Sequence, residues 1–121
     1  VGDFTGGDVF LADCPARLAV EIITDKWAVV TLYGLSRGPR RHGELLDLIG
    51  GISKKMLTQT LRRLTEHGLA TRMAYAQVPQ RVEYELTDLG KTLMKPIEML
   101  TEWAELYGAD VVAAQEASTA D

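Results

Sequence analysis

Gly50 to Arg72 reads GGISKKMLTQTLRRLTEHGLATR, and this stretch decides what kind of fold the chain can have. Its apolar residues Leu57, Leu61 and Leu64 recur at helical spacing and fall on one side of a helix. At about 100° per residue, Lys55, Gln59 and Arg62 stand together on the opposite side, with Thr58 at their edge. One face is therefore suited to packing and the other to a charged groove. Ser53 can cap this helix, which is expected to run to His67 and stop at Gly68.

Upstream, Gly50-Gly51 turns the chain out of another helix, expected over about Gly43 to Ile49 with Leu45, Leu46 and Ile49 inward. Two helices joined by a short glycine turn, the second bearing a basic ridge, match a helix-turn-helix. Arg40, Arg41 and His42 precede the pair, after a break at Gly38-Pro39. Before the break, Asp25 can cap a helix in which Trp27, Val30, Thr31 and Leu35 recur, and Trp27 reads as a core anchor. Earlier still, Asp13 offers a cap and Pro15 a first-turn residue for a short helix reaching about Thr24. Residues 1–12 hold three glycines and no clear period, as expected of a flexible arm.

Downstream the period changes. Leu69 to Tyr75 and Arg81 to Leu86 favour strands, the second alternating Val82, Tyr84 and Leu86 against Arg81, Glu83 and Glu85. Ala76 to Gln80 between them suits a projecting loop, so a hairpin follows the ridge helix and makes the helix-turn-helix winged. Thr87 then caps a long helix with a stripe of Leu89, Leu93, Ile97, Leu100, Trp103 or Ala104, and Tyr107, in which Pro96 is expected to produce a kink. A stripe of about five turns exceeds what the small core can cover, so part of it should meet a second subunit. The fold expected is mainly α with a small β-hairpin wing: one domain over residues 13–110, between flexible ends at 1–12 and 111–121.

The composition, 46% hydrophobic and 25% charged, is ordinary for a globular protein. No apolar run approaches the roughly 18 residues of a membrane span, and the first residues lack a signal-peptide pattern, so a cytoplasmic place and no membrane partner are expected. The net charge of −4 is unevenly spread. From Lys26 to Arg81 there are ten Lys and Arg against three acids, a net of +7, so the flanks together carry −11. A basic centre between acidic ends suggests that the middle alone meets a polyanion. Cys14 is the one cysteine, which excludes an intramolecular disulfide. Cys14, His42 and His67 lie too far apart in sequence to suggest a metal site, and no nucleophile-base set or phosphate loop can be named, so neither an enzyme nor a cofactor is expected.

Several separated motifs carry a resemblance. They are Cys14-Pro15 with Lys26-Trp27; Gly38-Pro39-Arg40-Arg41 leading to Glu44-Leu45; Gly51-Ile52-Ser53 through Met56-Leu57-Thr58-Gln59 and Leu61-Arg62; His67-Gly68-Leu69; and Val78-Pro79 with Arg81-Val82-Glu83-Tyr84 and Leu86-Thr87. Over residues 13–107 the chain resembles the HxlR family of winged-helix transcriptional regulators, a branch close to MarR-type proteins. The family usually has an aromatic and a polar residue after the paired arginines, where this chain has His42-Gly43, so a looser start to that helix is expected. The resemblance implies a homodimer packed through its first and last helices, bound to a palindromic operator as repressor or activator. It also implies a cysteine near position 14 that senses oxidants, a role that a helix N-terminus would favour by stabilising thiolate; burial of Cys14 as a small hydrophobe is the alternative.

For double-stranded DNA, Lys55, Gln59 and Arg62 are placed for base edges or phosphates, since Gln pairs well with adenine and Arg with guanine. Ser53, Lys54, Thr58 and Arg63 are candidates for phosphate contacts, and Arg40 and Arg41 for gripping the backbone beside them. Gln77, Gln80 and Arg81 on the wing are candidates for the minor groove. A rival reading is an interaction module without specific DNA binding, with Trp27, Tyr33, Trp103 and Tyr107 lining a pocket for a small aromatic molecule. Such a pocket would equally serve a regulator as its switch.

Overall fold

The computed structural model describes residues 10–120, so most of the arm expected over 1–12 lies outside the described residues. The elements run α1 (Pro15–Ile23), α2 (Lys26–Gly34), α3 (His42–Leu48), α4 (Lys54–Glu66), β1 (Ala70–Tyr75), β2 (Arg81–Leu86), α5 (Asp88–Lys91) and α6 (Met94–Thr119). This is the mainly helical fold with one hairpin that the residue pattern predicts.

Local chemistry sets most of these boundaries. Asp25 Oδ1 accepts from the backbone N–H of Trp27 at 2.9 Å and of Ala28 at 3.3 Å, satisfying two donors at the start of α2. Ser53 Oγ does the same for Met56 N at 3.1 Å in α4. At the other end of α4, Gly68 takes φ +75, Leu69 N bonds Leu64 O at 2.9 Å and Gly68 N bonds Thr65 O at 3.1 Å. That paired closure needs a left-handed residue, which glycine adopts without strain. At α1 the cap position is occupied by Cys14 rather than Asp13, with Pro15 as the first helical residue.

The core gathers around α4. Leu57, Leu61 and Leu64 are fully enclosed with Leu32, Leu35 and Leu45, and Leu86 from β2 and Ile97 from α6 belong to the same buried cluster. Each such leucine contributes roughly 1.5–3 kcal/mol by leaving water, so the face defined by these three residues fixes how α4 is seated. Trp27 packs at the core margin and is only partly buried.

The hairpin pairs Ala70 with Leu86 through to Tyr75 with Arg81, antiparallel. Arg40 adds a one-residue third strand, exchanging backbone hydrogen bonds with Tyr84 at 2.9 and 2.8 Å. The expected two-residue alternation is not seen in β2: Arg81, Val82, Tyr84 and Glu85 are all partly buried, Leu86 is buried, and so is Glu83. Burial of Glu83 is tolerated through the neighbouring Arg81, whose guanidinium covers and neutralises the carboxylate.

The last helix departs from expectation at both ends. It is two helices, with the chain turning at Thr92 and Leu93 before Pro96 is reached. Pro96 thus stands in the first turn of α6, where a missing N–H leaves no bond unmade, and it produces no kink inside a continuous helix. At the far end α6 stays helical to Thr119, through the segment expected to fray beyond residue 110. Its 26 residues make a rod of about 39 Å. Ile97 is its single buried residue, and Met99, Leu100, Trp103, Leu106, Tyr107, Val111 and Val112 are exposed along it.

Candidate nucleic-acid interface

The buried face of α4 leaves Lys54, Lys55, Thr58, Gln59, Arg62 and Arg63 exposed. Lys54, Lys55, Gln59 and Arg62 make no side-chain hydrogen bond or ion pair among the described residues. Their donors are therefore available to an outside acceptor, with no intramolecular bond to break first. Ser53 stands at the helix start, where its hydroxyl already accepts from Met56 N.

The flanks of α4 are engaged differently. Thr58 Oγ1 lies 3.0 Å from His42 Nε2, tying the recognition-type helix to the first residue of α3. Sequence reasoning missed His42 in this role, although its place directly after the two arginines put it beside α4. The start of α3 is further held by Arg41 N donating to Glu44 Oε1 at 2.7 Å, so His42-Gly43 does not leave it loose. Arg63 turns to the other flank and pairs with Asp25 Oδ2 at 3.5 Å, half exposed. Thr58 and Arg63 thus each have a partner within the chain.

Arg40, the residue that bridges to Tyr84, and Arg41, the cap residue of α3, are engaged differently. Arg41 is exposed next to α3, whereas Arg40 turns inward and donates from Nε to Gly34 O at 2.6 Å. On the wing, Gln77 and Gln80 project from the exposed loop between the strands. Arg81 does not: its Nη2 and Nε donate to Glu83 Oε2 at 2.6 and 3.1 Å, and its guanidinium lies 5.7 Å from the centre of the Tyr75 ring. The hydrogen bonds from Arg81 hold the Glu83 carboxyl below the usual carboxylate range, against the opposite effect of burial. The charge of Arg81, the Tyr75 hydroxyl and the charge of Arg41 act in the same direction as those bonds. Glu83 was not anticipated as part of this surface. An Arg and a Glu two apart on one strand share a face, and that spacing was the available signal.

Cys14 is buried, at 5% exposure, at the cap position of α1. The four aromatic residues expected around one pocket are separated within the chain. Trp27 and Tyr33 line a cleft beside α3, while Trp103 and Tyr107 meet on α6 with ring centres 5.6 Å apart and planes tilted by 43°, and line a different groove. The reason is that α6 leaves the core after Ile97, carrying its aromatics away from α2. Among the described residues no cluster of His, Cys, Asp and Glu is arranged to hold a metal ion, and no helix is long and apolar enough to cross a membrane.

A helix-turn-helix with an unengaged polar and basic ridge, followed by a hairpin wing, defines a winged-helix DNA-binding protein. Residues 22–111 match the HxlR-like helix-turn-helix family, and the chain belongs to that family of transcriptional regulators. It is similar to the HTH-type transcriptional regulator YtfH of Escherichia coli (strain K12), itself uncharacterised, at 38% identity over 91% of this chain and 87% of that one. Among solved structures, ytfH from Salmonella typhimurium, a transcriptional regulator by name, aligns with a TM-score of 0.80 at 37% identity, covering 91% of this chain and 98% of that one. The redox regulator HypR in its oxidised form aligns with a TM-score of 0.72 at 36% identity, over 76% of this chain and 95% of that one.

Proposed function

We propose that two copies of the chain bind a palindromic operator, each inserting the N-terminal half of α4 into the major groove and laying its wing along the flanking backbone. The observation that carries this reading is the ridge of Lys55, Gln59 and Arg62, exposed and unengaged on the face of α4 opposite its buried leucines. Gln59 and Arg62 have the donor patterns that read adenine and guanine, each worth roughly 1–3 kcal/mol of discrimination when bidentate. Ser53, Lys54 and Lys55 near the helix start, with Arg41 beside them, serve the phosphates and set register. Gln77 and Gln80 reach toward the minor groove. Thr58, Arg63, Arg40 and Arg81 contribute mainly by holding this surface in shape, since each has a partner within the chain.

Operator binding by fluorescence anisotropy tests the reading. Gln59→Ala and Arg62→Ala are expected to weaken the specific site about tenfold or more. Lys55→Ala should lower affinity for all sequences and reduce the salt slope by about one unit per subunit. Circular dichroism should be unchanged in all three. Unchanged operator affinity in the Gln59 and Arg62 variants at physiological salt sinks the groove assignment.

The likeness to HypR supports a second element, a response to oxidants through Cys14. The side chain sits at the start of α1, and α1 contributes Leu18 and Val20 to the exposed apolar surface beside it. Oxidation there would alter how α1 packs against a second copy. Mass spectrometry and operator binding before and after diamide are expected to show a modified Cys14 and a changed affinity; an unmodified thiol with unchanged affinity removes this element.

A further inference from the structure

A cleft of about 440 Å³ opens between the outer face of α2, the linker from α2 to α3, and the end of α3. Its walls are aromatic and aliphatic, from Trp27, Val30, Tyr33 and Leu48, and its charged lining consists of Arg37 and Arg40 with no carboxylate. Arg37 is exposed and has no ion pair or side-chain hydrogen bond among the described residues. Arg40 uses Nε on Gly34 O, and its terminal amino groups make no further bond among the described residues. A third cation, Lys26 Nζ, stands 4.8 Å from the centre of the Trp27 ring.

We infer that this cleft binds an organic anion with a flat aromatic body and a carboxylate, and that it is an effector site of the protein. The volume falls within the range of roughly 300–1,000 Å³ usual for small-molecule sites, which combine apolar walls with a few placed polar groups. A ring can lie against Trp27 and Tyr33, and a carboxylate can take paired N–H donors from a guanidinium. A cationic ligand would meet two guanidinium groups and no acid. A neutral one would leave Arg37 without an anion.

The cleft also has a route to the DNA-facing surface, a point that rests on the operator reading above. Arg40 is the lining residue that belongs to the wing as well, through its two backbone hydrogen bonds with Tyr84. Ile49 and Gly50 in the lining lead directly into the turn before α4. An anion that draws the Arg40 guanidinium away from Gly34 O loosens the strand residue on which the wing is seated. Such a ligand binds the two seatings unequally, which is what allows it to change DNA affinity.

Calorimetric titration of the full chain with naphthalene-2-carboxylate and with the neutral naphthalene-2-carboxamide separates the outcomes. The expected result is one site per chain, with the carboxylate at least about tenfold tighter than the amide and Arg37→Gln removing most of that difference. Equal affinity for acid and amide, or an unchanged affinity in Arg37→Gln with native circular dichroism, overturns the site. So does the absence of binding at millimolar ligand, the result expected if the acidic α6 of a second copy fills the cleft. No DNA enters this titration, so its failure is distinct from failure of the operator reading. With the carboxylate bound, operator affinity should change severalfold, and a bound ligand without that change overturns the effector role.

Discussion

At Glu83 an acid is buried on the wing, and its partner Arg81 explains how it is tolerated. The pair neutralises itself, and the wing keeps a fixed strand geometry beside Tyr75. Because the folded protein holds the Glu83 carboxyl below its ordinary value, the pair stabilises the fold above the unfolded pKa of about 4.3. That stabilisation is lost as pH falls through the lower, folded value. Glu83→Gln should therefore be less stable than wild type near neutral pH, with the difference shrinking below about pH 4, as measured by urea midpoints from about pH 7 to pH 3. A constant difference across that range would show that the pair is not its source. The sequence showed the charges of Arg81 and Glu83 but not their mutual engagement, because strand alternation alone assigns both to solvent. Gln59 and Arg62 were legible for the opposite reason: three leucines on the same helix leave them one direction in which to point.

Among the elements, the short α5 shows where periodicity stops being informative. Its stripe continues without a gap from Leu89 through Leu93 to Ile97, so sequence spacing joins two helices into one. Pro96 separates them, since a continuous helix would need its missing N–H to bond Thr92 O, and packing then fixes where α5 sits. Gly90 lies against the backbone of Leu69, and a Cβ built there would stand 2.1 Å from the Leu69 carbonyl oxygen. That approach lets Thr87 cap α5 through Gly90 N at 3.0 Å while its hydroxyl donates to Gly68 O at 2.6 Å. The stop of α4 and the start of α5 are thereby joined. Gly90→Ala is expected to destabilise the chain by about 2 kcal/mol or more, since the clash is with backbone and cannot be relieved by a rotamer. Chemical denaturation measures this directly; a cost within about 0.5 kcal/mol would mean that α5 shifts freely. The caps at Asp25, Ser53 and Thr87 were readable because a cap is local chemistry. The division of α5 from α6 falls one turn before Pro96, whose ring cannot bond the Thr92 carbonyl and crowds it, so the interruption of the stripe was legible while its form, a break rather than a kink, was not.

For the whole molecule, the exposed stripe of α6 is the feature that one chain leaves incomplete. Leu106 is 74% exposed, and Trp103 and Tyr107 stand beside it on the same rod. In the proposed dimer these residues are covered by the second copy together with the apolar side of α1. Leu106→Glu should then yield a folded monomer by sedimentation velocity, with operator affinity reduced about a hundredfold or more as the second half-site is lost. A dimer that persists with full affinity would place the interface elsewhere. The exposed apolar stripe was legible in the sequence, while the length of its helix was not: small polar residues after Val111 read as tail, yet alanine and glutamate there are strong helix formers.

The uneven charge has a consequence for how the protein arrives at its site. The acids of α6, Glu98, Glu102, Glu105, Asp110 and Glu116, lie on a rod largely free of the core, while the cations of α4 stand on its exposed face, so the net charge of −4 is spread over surfaces of opposite sign. In dilute salt, where screening extends over about 30 Å, an approaching duplex responds to the whole molecule and repels it. At physiological salt the reach is about 8 Å, and the duplex responds to whichever face is nearest. Adding salt therefore first screens the net repulsion that obstructs capture and only later weakens the grip. The rate of encounter should accordingly pass through a maximum, while the lifetime of the complex falls steadily.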